Sequence, residues 1–141
     1  MESIANDSGK EKVKATAEGL DVDFCVMLDC TGSMGSYIDM SRNKIKDIIK
    51  QVKEQYSNSA IRVAIVAYRD VNDKNRFELF HFSEDVGKAK TFLDCLHADG
   101  GADTPEDVNG GFQKALYELQ WQNPVRILIH VADAPCHGKA F

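Results

Sequence analysis

The chain has 141 residues, 43% hydrophobic and 28% charged, with 17 Lys and Arg against 22 Asp and Glu for a net charge of −5. That fits one soluble globular domain with a real core, and the acidic balance argues against nucleic acid or an anionic membrane as the main partner. No apolar run reaches the roughly 18 residues that a membrane span needs, and the polar N-terminus lacks the apolar stretch of a secretory signal, so a cytoplasmic location is expected.

Residues 1–20 are polar with no sustained period and read as a flexible N-terminal tail. The domain is expected over 21–141. Asp23 to Leu28 is a short continuous apolar run, the pattern of a strand buried on both faces. It ends at Asp29, and the Gly- and hydroxyl-rich Cys30-Thr31-Gly32-Ser33-Met34-Gly35-Ser36 follows as a tight loop. A helical period then places Ile38, Ile45, Ile48, Ile49, Val52 and Tyr56 on one face, with Lys44, Lys46, Lys50 and Lys53 outside it as a solvated face. Ser36 and Asp39 are spaced as a capping box at its start.

Ile61 to Tyr68 is a second buried, β-branched strand, and Phe77 to Phe82 is a third. The short connection between them predicts an antiparallel hairpin. Arg69 with Asp70 reads as a structural ion pair. Ser83 is placed to cap a second helix with the stripe Val86, Ala89, Phe92, Leu93 and Leu96, ending at Asp99-Gly100-Gly101. Thr104-Pro105, with acids behind, signals a third helix start; Val108, Phe112, Ala115, Leu116 and Leu119 form its buried face, and Asn123-Pro124 ends it. Trp121 reads as packing. Val125 to Ala132 is a fourth buried strand ending at Asp133. Strands alternating with helices predict an α/β sheet covered by helices. The four cysteines, Cys25, Cys30, Cys95 and Cys136, form no Cys-x-x-Cys pair and read as reduced buried thiols.

The first and fourth strands both end in an aspartate, Asp29 and Asp133. If the second and fourth strands flank the first, a crevice opens between their loops, the switch point where open α/β sheets bind ligands. Two carboxylates meeting there repel unless protonated or bridged by a cation. With the hydroxyls of Thr31, Ser33 and Thr104 nearby, the donors are all oxygen, which suits a hard cation, magnesium above all.

Asp29-Cys30-Thr31-Gly32-Ser33, placed between a strand and an amphipathic helix, resembles the D-x-[ST]-x-S signature of von Willebrand factor A (VWA) and integrin I domains. The resemblance covers residue 21 to the C-terminus. It implies a Rossmann-like fold, a mostly parallel sheet with one antiparallel edge strand and helices on both faces. It also implies a metal-ion-dependent adhesion site with Asp29, Thr31, Ser33, Thr104 and Asp133 as ligands. The family's central threonine usually follows the glycines directly, where Ala102 stands here, so Asp103 is an alternative to Thr104. Gly32, Met34, Gly35, Asp103 and Pro135 are expected to face a partner. The implied cation is magnesium or manganese, with calcium also admissible; the implied partner is a protein offering an Asp or Glu carboxylate. Val66 to Asp70, Gly100 to Asp107 and Ala132 to Gly138 are similar to intracellular VWA domains, including those beside alpha-kinase catalytic domains, which implies a regulatory, non-catalytic module. A complete VWA domain has two further strands; in their absence a sheet ordered 3-2-1-4 is expected to leave its fourth strand as an apolar edge. Two alternatives stand beside this: a haloacid-dehalogenase-like phosphatase with Asp29 as nucleophile, in which Thr31 would occupy the acid/base position, or a truncated domain without a working site.

Overall fold

The computed structural model describes residues 20–69, 76–98 and 107–132. Four strands form one sheet: β1 (Val22–Asp29), β2 (Ile61–Tyr68), β3 (Phe77–Ser83) and β4 (Val125–Val131), in the order β3-β2-β1-β4. β1 pairs in parallel with β2, from Val22 opposite Ile61 to Asp29 opposite Tyr68. It pairs in parallel with β4 on its other side, from Val22 opposite Val125 to Leu28 opposite Val131. β2 and β3 are antiparallel, Tyr68 opposite Phe77, with an irregularity between Val63 and Ile65. The expected order, hairpin and edge position of β4 are all found.

Helices α1 (Ile38–Gln55), α2 (Val86–Asp94) and α3 (Val108–Gln113) cover the sheet. All eight residues of β1 are buried, because this strand has a neighbour on each edge and helices on each face. Its alternation divides the core in two. Phe24, Val26 and Leu28 pack with Ile45 and Ile49 of α1 and Leu93 of α2. Cys25 and Met27 pack with Tyr68 and with Val108 and Ala115 of the α3 segment. The stripe read from sequence on α1 is the buried one, and Lys44, Lys50 and Lys53 are exposed. Lys46 bonds Asp94 of α2 at 2.6 Å. No helix of the described residues is long and apolar enough to cross a membrane.

Helix boundaries differ from expectation for local reasons. The Ser36–Asp39 capping box does not form: α1 starts at Ile38, and no side chain caps it. A 3-10 turn over Gly32–Met34 leads in instead, with the Met34, Gly35 and Tyr37 amides donating to the carbonyls of Thr31, Gly32 and Met34. Asp39 turns to Arg42 at 2.9 Å. Ser83 belongs to β3, opposite Val63, so the cap of α2 moves to Asp85, whose side chain accepts from the Lys88 amide at 3.1 Å. That helix ends at Asp94 rather than near residue 99, although Leu96 remains buried. The proposed helix start at Thr104-Pro105 lies outside the described residues. Asp107 caps α3 by accepting from the Gly110 amide at 3.0 Å.

The third helical segment is not α-helical to its end. Lys114–Glu118 widens to π spacing, and the Leu119 amide reaches the Lys114 carbonyl, five residues back. The wider turn rotates Leu116 out of the buried stripe, to 51% exposure, while Ala115 and Leu119 stay buried. Trp121 packs as expected: its indole N–H donates to the Ala115 carbonyl at 2.7 Å, and its ring meets Phe82 edge-on at 4.8 Å. Among the cysteines, Cys25 and Cys30 are buried, Cys95 is exposed at the end of α2, and Cys136 lies outside the described residues.

Candidate functional site

The carboxyl ends of the three parallel strands share one edge of the sheet. Because β2 and β4 lie on opposite sides of β1, the switch point falls at the end of β1, where the chain places Asp29. Asp29 is 1% exposed, and a buried carboxylate requires partners. Its Oδ1 accepts from the Thr31 amide at 2.8 Å and from the Thr31 hydroxyl at 2.6 Å. Thr31 is equally buried and extended, at φ −68° and ψ 163°. Its hydroxyl faces back to Asp29 rather than capping the turn that follows. The Cys30 amide donates to the Tyr68 carbonyl at 2.9 Å, so the β1–β2 ladder runs one residue past Asp29 and fixes the loop root.

The Gly32–Met34 turn then doubles the chain back toward α1. Gly32 and Gly35 are exposed, and a Cβ on Gly35 would lie 3.2 Å from the Gly32 carbonyl oxygen, a close approach that favours glycine. Met34, expected to face a partner, is 1% exposed and packs in the core cluster with Leu28, Cys30 and Ile38. Its role is to anchor the turn. Asp103, Thr104, Asp133 and Pro135, and the side chain of Ser33, lie outside the described residues. Of the expected ligands the structure therefore brings together Asp29 and Thr31.

Chemically, this pair offers carboxylate and hydroxyl oxygen, the donors a hard cation takes. The neighbouring thiol does not compete: burial pushes Cys30 up to about 12, which keeps it protonated. Among the described residues no group of three or more His, Cys, Asp or Glu gathers to hold a metal. A cation at Asp29 would draw its further ligands from hydroxyls, water and the residues outside the described set.

Two features near this edge were not legible in the sequence. The Tyr68 hydroxyl and His130 Nε2 are 2.7 Å apart, bridging β2 and β4 across β1, and Phe112 meets the His130 ring edge-on. Arg69 is 4% exposed and pairs with Glu78 of β3 at 2.8 Å. The partner expected for it, Asp70, lies outside the described residues. Only the register that puts Tyr68, Met27 and His130 on one face reveals the first. The second depends on which loops return to the end of β2.

Comparison with known proteins agrees with this architecture. Residues 23–138 match the family profile described as von Willebrand factor A domain. The chain is 35% identical over 137 residues to the alpha-protein kinase vwkA of Dictyostelium discoideum, covering 93% of this chain and 22% of that protein. It is 29% identical over 119 residues to the ariadne-like RING finger protein R811 of Acanthamoeba polyphaga mimivirus, covering 84% of this chain and 12% of that one. Among solved structures, the pilus adhesin SpaC of Lactobacillus rhamnosus GG in its open conformation matches 57% of this chain and 11% of its own, at 14% identity and a TM-score of 0.48. The chain thus spans less than a quarter of the curated relatives it matches. With residues 23–138 matched and the sheet order and the Asp29 loop in place, the chain belongs to the von Willebrand factor A domain family.

Proposed function

We propose that this domain is a divalent-cation-dependent protein-binding module without catalytic activity. VWA domains are commonly protein-interaction modules, and the finer reading rests on one observation: a fully buried carboxylate, Asp29, at the switch point of the sheet, with the Thr31 hydroxyl held 2.6 Å from it. In this reading Asp29, Thr31, Ser33 and Asp133 hold magnesium or manganese, with Thr104, or Asp103 in its place, as a further ligand. A bound cation with one open position supplies attraction for an Asp or Glu carboxylate of the partner. Gly32 and Gly35, exposed and without side chains, let the partner approach the site; Asp103 and Pro135, outside the described residues, are proposed as further partner contacts.

The residues of this chain do the rest. The Cys30–Tyr68 bond and the buried Met34 anchor the two ends of the Asp29 loop. The Thr31 amide and hydroxyl orient Asp29 Oδ1, and in a phosphatase reading Thr31 would stand in the acid/base position, where a threonine supplies no carboxyl to protonate the leaving group. That supports binding over catalysis. The 35% identity to an alpha-protein kinase supports a place as the regulatory part of an alpha-kinase-like protein.

The test is thermal unfolding in EDTA and in millimolar magnesium or manganese, for the wild type and Asp29→Ala. A cation that binds only the folded state stabilises it by about 2.7 kcal/mol at a hundred times its dissociation constant. The expected result is a cation-dependent rise in Tm that disappears in the variant. A cooperative wild-type melt with no response to either cation would overturn the reading.

A further inference from the structure

Arg62 stands at the amino end of β2, opposite Asp23, and its side chain is 18% exposed. Its Nε and Nη2 donate to the two Asp23 carboxylate oxygens at 2.8 Å each, and Nη2 also donates to the Gln120 carbonyl at 2.9 Å. The guanidinium lies over the Phe82 ring, 4.8 Å from its centroid. Nη1 is the guanidinium nitrogen left without a partner among the described residues. Arg62, His81, Phe82 and Gln120 line a cleft of about 270 Å³. It lies at the end of the sheet away from Asp29, and the cation reading does not bear on it.

The path of β3 builds this cleft. Val63 pairs with Ser83 and Ile65 with Phe80, so one residue of β2, Ala64, stands against two of β3, His81 and Phe82. Such a bulge redirects side chains at a sheet edge, and β3 is an edge strand. Phe77 and Leu79 pack against the second core cluster and Phe80 against the first. Strict alternation would send Phe82 to the side of Phe80. It packs instead with Phe77 and Leu79, where Trp121 meets it edge-on, and the exposed His81 lines the same cleft. The extra residue thus sets an imidazole and an aromatic ring beside Arg62.

Charge decides what the cleft takes. The fully buried Asp23 pairs with Arg62, and the Glu84 carboxylate also acts on it, so one positive charge stands against two negative ones. That leaves no net attraction for an anion, and the chain carries −5 overall. Nη1 nevertheless remains a donor that cannot accept, while the His81 and Gln120 side chains can each donate and accept. An uncharged group with a carbonyl oxygen beside an N–H matches all three. The cleft, at about 270 Å³, is just below the range of drug-sized sites, which suits a ligand of about one ring.

We infer that this cleft binds a small uncharged amide: Arg62 Nη1 donates to its carbonyl oxygen, His81 and Gln120 bond the rest of the amide, and its apolar body lies against Phe82.

The experiment is an NMR titration of the whole chain with benzamide and with benzoate, which has the same shape and a carboxylate in place of the amide. The Trp121 indole N–H, beside Phe82, and the Gln120 side-chain amide report binding. Benzamide is expected to shift both signals, and benzoate to bind at least about tenfold more weakly. His81→Ala and Gln120→Ala, both at exposed positions, are each expected to weaken benzamide about two- to tenfold with Tm unchanged, the loss of one hydrogen bond. Arg62→Lys, which does not reproduce the guanidinium fork, should weaken it as well. No shift of either signal up to the solubility limit of benzamide overturns the inference. Benzoate binding as tightly as benzamide overturns it too, since the cleft would then be an anion site. Should Arg62→Lys not fold, the two exposed variants decide: wild-type affinity for benzamide in both would overturn the inference.

Discussion

Asp23 and Arg62 stand in direct register on the neighbouring parallel strands β1 and β2, joined by two hydrogen bonds of 2.8 Å each. The Asp23 carboxylate is fully buried and also accepts from the Gln122 amide at 2.6 Å, the Asn123 amide at 3.0 Å and the Asn123 side-chain amide at 2.8 Å. One side chain thus fastens the entrance of β4 to β1, at the opposite end of the sheet from Asp29. Removing one member of a buried pair leaves the other charge uncompensated, at a cost of about 3–5 kcal/mol. Asp23→Ala is expected to destabilise by that amount in urea unfolding, and Arg62→Ala, whose partner keeps three other donors, by less.

The same network sets an acid limit. Burial raises the Asp23 pKa, but the Arg62 hydrogen bond, the amides of Gln122 and Asn123 and the Arg62 charge together outweigh it and hold it below the ordinary 3.8. A carboxylate depressed in the folded state contributes stability above its unfolded pKa and loses it as pH falls through the folded one. His130 acts in a higher window. Burial lowers its pKa below the ordinary 6.5, so folding favours the neutral ring. Stability is therefore full above about 6.5 and falls as pH drops from there toward the folded value. A pH series of urea midpoints should show two acid phases, one just below 6.5 and one below 3.8. His130→Gln should remove only the first, and Asp23→Asn only the second.

Sequence patterns made the sheet legible because strand burial and helix amphipathicity are local signals. The continuous apolar runs of β1 and β2, and the Ile45–Ile49 stripe of α1, are the core found in the structure. Helix ends were less legible, since caps are decided by competition. Ser83 has the right side chain, but pairing of β3 with Val63 takes it into the strand and leaves Asp85 to cap. Leu116 fits the stripe of a regular helix and is exposed because the π turn shifts the register, which no period reveals. In the site, the motif spacing pointed to Asp29 and Thr31 as two of the metal ligands; the structure places them side by side, with the Thr31 hydroxyl bonded to Asp29 Oδ1. It also suggested Met34 as a contact residue, although the 3-10 turn directs that side chain into the core. The Arg69 bond to the His97 carbonyl and the His130 pair with Tyr68 span 28 and 62 residues in sequence, beyond any local pattern.

Gly110 and Gly111 in α3 are a case where helix propensity and packing oppose each other. Alanine favours a helix interior over glycine by about 1 kcal/mol. At Gly110, however, a Cβ would lie 2.3 Å from Asp107 Oδ2 and 2.6 Å from the Phe77 ring, displacing the cap and its ion pair with Arg76. Overpacking of this kind costs about 1–3 kcal/mol, and loss of the cap about 1 kcal/mol more. Gly110→Ala is expected to be net destabilising in urea unfolding. At Gly111 the nearest atoms, Met27 Sδ and Tyr68 Cδ1, are 3.2 Å away, so Gly111→Ala should have a smaller effect. Equal or stabilising midpoints for Gly110→Ala would show that Asp107 is free to turn aside.

The cysteines offer a direct check of the core. The thiols of Cys25 and Cys30 are buried, and burial pushes each up to about 12, so neither supplies the thiolate that alkylation needs. Cys95 is exposed at the end of α2. Brief iodoacetamide treatment at pH 8, followed by peptide mass analysis, should label Cys95 and leave Cys25 and Cys30 unmodified until denaturant is added. Labelling of Cys30 at the rate of Cys95 would mean that the loop root beside Asp29 opens in solution. The Cys30–Tyr68 bond would then not hold the candidate ligands in place, whereas protection of Cys30 in EDTA would show that the loop is set before any cation binds.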